Sequence, residues 1–166
     1  MRIGLITDTH VPDVAKSLPA ELAHVFKGVE LILHAGDIYS LSVLDDLEHI
    51  APVIAASGDD DMGPTLADPR VKAKYVLQLG GKTVWLMHER SYSYHNPNFR
   101  VGNDANDGKP DVVVFGHEHR SSVVKHNGTL WVNSGSPTFL QYCRGLGTVG
   151  ILDIDSGDVR AEIIQL

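Results

Sequence analysis

At 166 residues with a net charge of −7 and a single cysteine, the chain is about one domain in length and can bury roughly 70% of its unfolded surface without disulfides. The negative charge opposes a long nucleic-acid backbone, which requires a basic face, and no apolar run reaches the ~20 residues needed to span a bilayer. Cys143 has no second cysteine to pair with, and the N-terminus enters a strand at Arg2 without a signal-peptide core, so the expected location is the reducing cytoplasm.

In chain order, Arg2–Thr7 reads as a buried strand. A helix is predicted from Pro19 to Lys27, with Pro at its start, Leu22, Val25 and Phe26 on one face and Gly28 as its stop. Glu30–Ala35 is the second strand. Ser40 then caps a helix that turns Leu41, Leu44 and Leu47 inward, and Pro52–Ala56 is the third strand. The second half reads mostly as β. Tyr75–Leu79 and Lys82–Met87 flank Gly80-Gly81, a two-residue hairpin signal. Val123–His126 and Thr129–Asn133 flank Asn127-Gly128, the strongest such signal in the chain. Gly147–Asp153 pairs with Asp158–Ile164 across Asp155-Ser156-Gly157. The stretch from Ser91 to Pro110 is polar and broken by Pro97, Gly102 and Gly108, with a short helix near Phe99–Asn106. No repeat, low-complexity tract or linker intervenes, so residues 1–166 read as one domain.

Five short apolar segments run directly into Asp or His. They are IGLIT before Asp8 and His10, LILHA before Gly36-Asp37, and VIAAS before Gly58-Asp59-Asp60-Asp61. VWLM precedes His88, and VVVF precedes Gly116-His117-Glu118-His119. Such strands line up in the middle of an α/β sheet, and ligands bind outside their carboxyl ends. Carboxylates and imidazoles gathered on one rim describe a metal site, and about seven donors exceed the ~4 of a structural zinc, so two ions are expected. Gly36 lets the backbone come close, and the two oxygens of Asp37 could bridge both ions. Mixed imidazole and carboxylate donors suit Mn²⁺ first, then Zn²⁺, Fe, Ni²⁺ or Co²⁺, over Ca²⁺ and Mg²⁺. Asp61 reads as orienting a ligand or its loop. His34, inside the second strand, reads as a packed core residue, as do Trp85 and Trp131. Arg90 and His95 are candidates for contacting phosphate or protonating a leaving group.

Taken in order, D-x-H, G-D, the Gly58–Asp61 turn, His88 and G-H-x-H resemble the motif series of the calcineurin-like metallophosphoesterases. The small bacterial and archaeal phosphodiesterases are the subgroup most alike. The resemblance runs from Arg2 to the final hairpin. It implies an α/β fold, a four-layer α/β/β/α sandwich of two mixed β-sheets with flanking helices. It also implies that Asp8, His10 and His119 hold one metal, that Asp59, His88 and His117 hold the other, and that Asp37 bridges. Asn133-Ser134-Gly135-Ser136 resembles the family's N-P-G-S turn, with Ser134 in place of Pro, and reads as structural.

Three positions depart from that pattern. Asp59 stands for Asn and adds a negative charge. Asp60 stands where many members carry a His that assists the leaving group. Glu89 replaces the Gly that follows the His88 equivalent, which narrows or recharges the rim. The activity implied is hydrolysis of small phosphodiesters by a metal-activated hydroxide, with phosphomonoester hydrolysis as the alternative. The same fold also serves as a non-catalytic protein-interaction scaffold, a fate that lost ligands would mark; here every ligand position retains a residue able to coordinate. The expected partner is a small phosphoester, with no long nucleic acid and no membrane, and a homo-oligomer is left open.

Overall fold

Strands covered on both faces have continuous apolar sequences, and LILH and VVVF are buried at every position. The computed structural model describes residues 1–89, 108–140, 143–155 and 157–166. Its first half comprises β1 (Arg2–Ile6), α1 (Leu22–Val25), β2 (Leu31–His34), α2 (Leu41–Glu48), β3 (Val53–Ala56), α3 (Pro64–Ala67) and β4 (Val71–Lys72). Then follow β5 (Lys74–Leu79), β6 (Lys82–Met87), β7 (Val112–Phe115), β8 (Ser122–His126) and β9 (Thr129–Asn133). The last are β10 (Phe139–Leu140), β11 (Cys143–Arg144), β12 (Thr148–Asp155) and β13 (Asp158–Gln165).

Two mixed sheets result. One has the order β13-β12-β1-β2-β3-β4, with β1 to β4 parallel, β12 antiparallel to β1 and β13 antiparallel to β12. The other has the order β5-β6-β7-β9-β8, in which β6, β7 and β9 are parallel between antiparallel edges. Side chains alternate across each strand. Ile3, Leu5, Leu31 and Leu33 of the first sheet meet Val84, Leu86, Val112 and Val114 of the second. On the other face of the first sheet, Ile6, Ile32, Val53 and Ile151 pack against Leu22, Phe26, Val43, Leu44 and Leu47 of the helical layer. The outer face of the second sheet gathers Trp85, Val113, Phe115 and Trp131.

The strands follow the sequence reading to within one or two residues. Asn127 and Gly128 both adopt positive φ, 50° and 83°, as the tight turn between β8 and β9 requires. Ser40 caps α2, its hydroxyl accepting from the Ser42 N–H. The first helix is shorter than predicted, four residues instead of Pro19–Lys27. Only Leu22 and Phe26 of that segment are buried, and its ends tighten into i→i−3 bonds such as Ala23 N to Ala20 O and Lys27 N to His24 O, as short helices do. The helix expected near Phe99–Asn106 lies outside the described residues. No helix among the described residues is long and apolar enough to cross a membrane.

Candidate metal centre

The carboxyl ends of β1, β2, β3, β6 and β7 open on one rim, where the two sheets meet. The loops there are bent sharply. Asp8, His10, Asp37, His117 and His119 hold φ values of 53°, 44°, 56°, 71° and 50°, a region that costs non-glycine residues of order 1–3 kcal/mol each and that clusters at functional sites. Hydrogen bonds from outside hold this geometry. Asp8 N donates to Gly36 O at 2.9 Å and Thr9 N to Asp37 O at 3.0 Å, which ties the first two loops together. The Asn133–Thr138 turn then clamps both sides: Ser136 Oγ donates to Asp8 O at 2.7 Å, Thr138 Oγ1 to Thr9 O at 2.7 Å, and Asn133 Nδ2 to Gly116 O at 3.0 Å. The loops approach so closely that a Cβ at Gly58 would collide with Asp37 Oδ1, and one at Gly116 with Thr7 Oγ1.

Seven side chains converge in two groups. Asp8, His10, Asp37 and His119, all buried, bring one ligand atom each within 4.8 Å of one another. His10 Nε2 and His119 Nε2 stand 3.1 Å apart, and His119 Nε2 is 3.4 Å from Asp8 Oδ1. Both oxygens of Asp8 accept from His117 N at 3.1 Å, which sets the carboxylate's orientation. The second group is Asp59, His88 and His117. Asp59 Oδ1 lies 2.9 Å from His88 Nε2 and 3.0 Å from His117 Nδ1. Asp37 stands between the groups, its Oδ2 3.5 Å from His10 Nε2 and 3.4 Å from His88 Nε2.

His88 tests whether a cation fits. Its Nδ1 donates to Ala35 O at 2.7 Å, so Nδ1 carries the proton of the neutral ring. Nε2 is then a lone pair, buried and without a hydrogen-bond partner, aimed between two carboxylates. That contact is repulsive unless a proton or a metal ion occupies it, and the carbonyl-anchored tautomer is how metal-binding histidines are commonly held. Burial pulls the His88 imidazole down, but contact with Asp37 and the fields of Asp37 and Asp8 outweigh it and hold it up to about 9. Burial likewise lowers His10, whereas the bond to Asp8 raises His119. Burial would raise Asp37, yet His88, the Asp60 N–H and His10 bring it below the usual carboxylate range. A divalent ion displaces protons from such sites, and the donor set suits Mn²⁺, Zn²⁺ or a neighbour.

Of the other predicted positions, Asp61 is buried and accepts from Ile38 N, Tyr39 N and Gly58 N, each at 2.8 Å. It staples the loop after β2 to the loop after β3. His34 is fully buried; its Nδ1 accepts from Gly36 N at 3.2 Å and its Nε2 lies 3.1 Å from Thr9 Oγ1. Burial pushes it down to about 3, so it remains a neutral strut. Asp60 is exposed and accepts from Tyr39 Oη at 2.9 Å. Arg90 and His95 lie outside the described residues. Sequence reasoning missed the aromatic walls: the Tyr39 ring stands 4.7 Å from His10 and the Phe139 ring 5.1 Å from His119. Neither has a local signal: Tyr39 lies in the loop after β2, and Phe139 opens β10, a strand of two residues.

A family model described as the calcineurin-like phosphoesterase superfamily domain matches residues 1–157. The chain is 33% identical over 165 residues to a probable metallophosphoesterase of Methanothermobacter thermautotrophicus, covering 99% of this chain and 92% of that protein. A phosphodiesterase of Methanocaldococcus jannaschii is 27% identical over 181 residues, covering 99% and 100%. Among solved structures, Vps29 of Chaetomium thermophilum shares the fold with a TM-score of 0.75 at 17% identity, covering 100% of this chain and 97% of that one.

Proposed function

The chain belongs to the calcineurin-like phosphoesterase superfamily, and on that premise we propose that it is a metal-dependent phosphodiesterase acting on small phosphodiesters. The observation that carries the reading is Asp37, whose one oxygen lies within 3.5 Å of an imidazole from each donor group. Asp8, His10 and His119 would hold one divalent ion and Asp59, His88 and His117 another, with Asp37 shared and Mn²⁺ the first candidate. Paired ions, when bound, acidify a water and neutralise charge on a phosphoryl group. The chain's own residues supply the frame: Asp61 fixes two loops, Ala35 O fixes the His88 tautomer, and the Asn133–Thr138 turn fixes the backbone at Asp8, Thr9 and Gly116.

Charge at the rim supports a diester over a monoester. Asp59 is 56% exposed and adds a carboxylate beside the ions, with exposed Asp60 next to it. Like charge repels a dianionic monoester more than a monoanionic diester. The relative named a phosphodiesterase points the same way. Because Cys143 stands alone, a reducing compartment is the location we propose.

Turnover of bis(p-nitrophenyl) phosphate and p-nitrophenyl phosphate, each with Mn²⁺, Co²⁺, Ni²⁺ and Zn²⁺, tests the proposal. Higher kcat/KM on the diester supports it, and higher kcat/KM on the monoester makes the protein a phosphomonoesterase. No turnover with any ion would favour a scaffold with the fold that Vps29 shares.

A further inference from the structure

Seven non-glycine residues among those described hold positive φ. Five are candidate metal donors, Asn127 sits in the β8–β9 turn, and the remaining one is Tyr39 at 68°. Bulky residues seldom adopt this conformation. Here Asp61 holds it in place by accepting from Tyr39 N at 2.8 Å. The bend sends the ring to 4.7 Å from the His10 ring and sets the phenol to donate to Asp60 Oδ2 at 2.9 Å. Asp60 in turn donates its backbone N–H to Asp37 Oδ1 at 3.2 Å. Tyr39 therefore contacts a donor of the buried group on one side. On the other it contacts a carboxylate whose backbone is bonded to the shared Asp37. Asp60 belongs to neither donor group. Released from the phenol, its carboxylate would compete with a phosphoryl group for the ions, because both present anionic oxygen.

We infer that Tyr39 is a positioning residue: its hydroxyl pins the Asp60 carboxylate to the rim, outside the ion-binding groups, and its ring braces His10. Tyr39→Phe keeps the ring and removes the hydroxyl. Its first readout needs no substrate, a Co²⁺ titration of the full chain followed by visible absorption. Tyr39→Phe should bind Co²⁺ about three- to tenfold more tightly than wild type, the order of one hydrogen bond released. The Tyr39→Phe/Asp60→Asn double variant should return to the wild-type affinity. In the Asp60→Asn background, which isolates the ring, Tyr39→Ala should weaken Co²⁺ binding about tenfold relative to Tyr39→Phe.

The second readout rests on the phosphodiesterase reading. Tyr39→Phe should raise KM for bis(p-nitrophenyl) phosphate several-fold with little change in kcat, and Asp60→Asn should reverse the rise. Equal Co²⁺ affinity in wild type and Tyr39→Phe would overturn the role of Tyr39, as would a change that survives Asp60→Asn. If no chain turns over the diester, the activity falls, while the Co²⁺ comparison still decides Tyr39.

Discussion

The two donor groups use the same chemistry but differ in exposure. Asp8, His10, Asp37 and His119 are all buried, whereas in the other group only His88 is, with the side chains of Asp59 and His117 56% and 43% exposed. The buried carboxylates of Asp8 and Asp37 raise the imidazoles of His119 and His88, and a divalent ion would take the place of those protons in a site closed to water. Asp59 and His117 face solvent and contact each other at 3.0 Å. The first group should therefore hold its ion tightly as part of the fold, and the second should exchange its ion and face the substrate.

Removing the residue that joins the groups should have the largest effect. Asp37→Ala is expected to leave fewer than one metal per chain after desalting and to lower diester turnover by more than about 100-fold; elemental analysis checks the first and a kinetic assay the second. A variant that still holds two metals would place Asp37 outside the ion-binding set. Next come paired imidazole deletions. His119→Ala should weaken the tighter binding step by about 100-fold and lower the melting temperature of the metal-loaded protein, while His117→Ala should weaken only the looser step, about tenfold. Equal effects of the two deletions on both steps would erase the distinction between the groups.

Asp59→Asn acts on the exposed group alone. It raises the formal charge of an ion-loaded site from about +1 to about +2, which acidifies a bound water more but holds the ion less. Weaker metal affinity, a pH–activity profile shifted toward lower pH and improved monoester turnover relative to diester are expected. Unchanged affinity, profile and ratio would move Asp59 to solvent.

The smallest effect concerns the strut behind the buried group. His34 titrates near 6.5 when unfolded and is lowered to about 3 in the fold. Its contribution to stability is therefore fully present above pH 6.5 and is lost progressively as pH falls from 6.5 to 3. In chelator, His34→Gln should flatten the decline of melting temperature across that window, by a few degrees, and a slope equal to wild type would remove His34 from the balance.

The sequence made the rim legible because its strands are apolar on both faces and end abruptly in Asp or His, so β1, β2, β3, β6 and β7 each point to a donor. The turns at Gly80-Gly81 and Asn127-Gly128 were legible because the positive φ values they need favour glycine and asparagine. Other elements depend on contacts made across the chain. Strand β4 is two residues long and exists through pairing with β3; α3 is one turn; and the Pro19–Lys27 segment buries only Leu22 and Phe26, too little to hold a longer helix. The same holds for Tyr39, whose place beside His10 depends on Asp61, 22 residues away. Its ring is invisible to periodicity because the loop, not a strand or helix, aims it.

A titration of metal-free protein with Mn²⁺, with diester turnover followed at each addition, tests the pairing of a tight and a labile ion most directly. Two ions should bind per chain, the first at least about tenfold more tightly than the second, and turnover should appear only as the second is taken up. Saturation at one ion, or full turnover at the first equivalent, would contradict it.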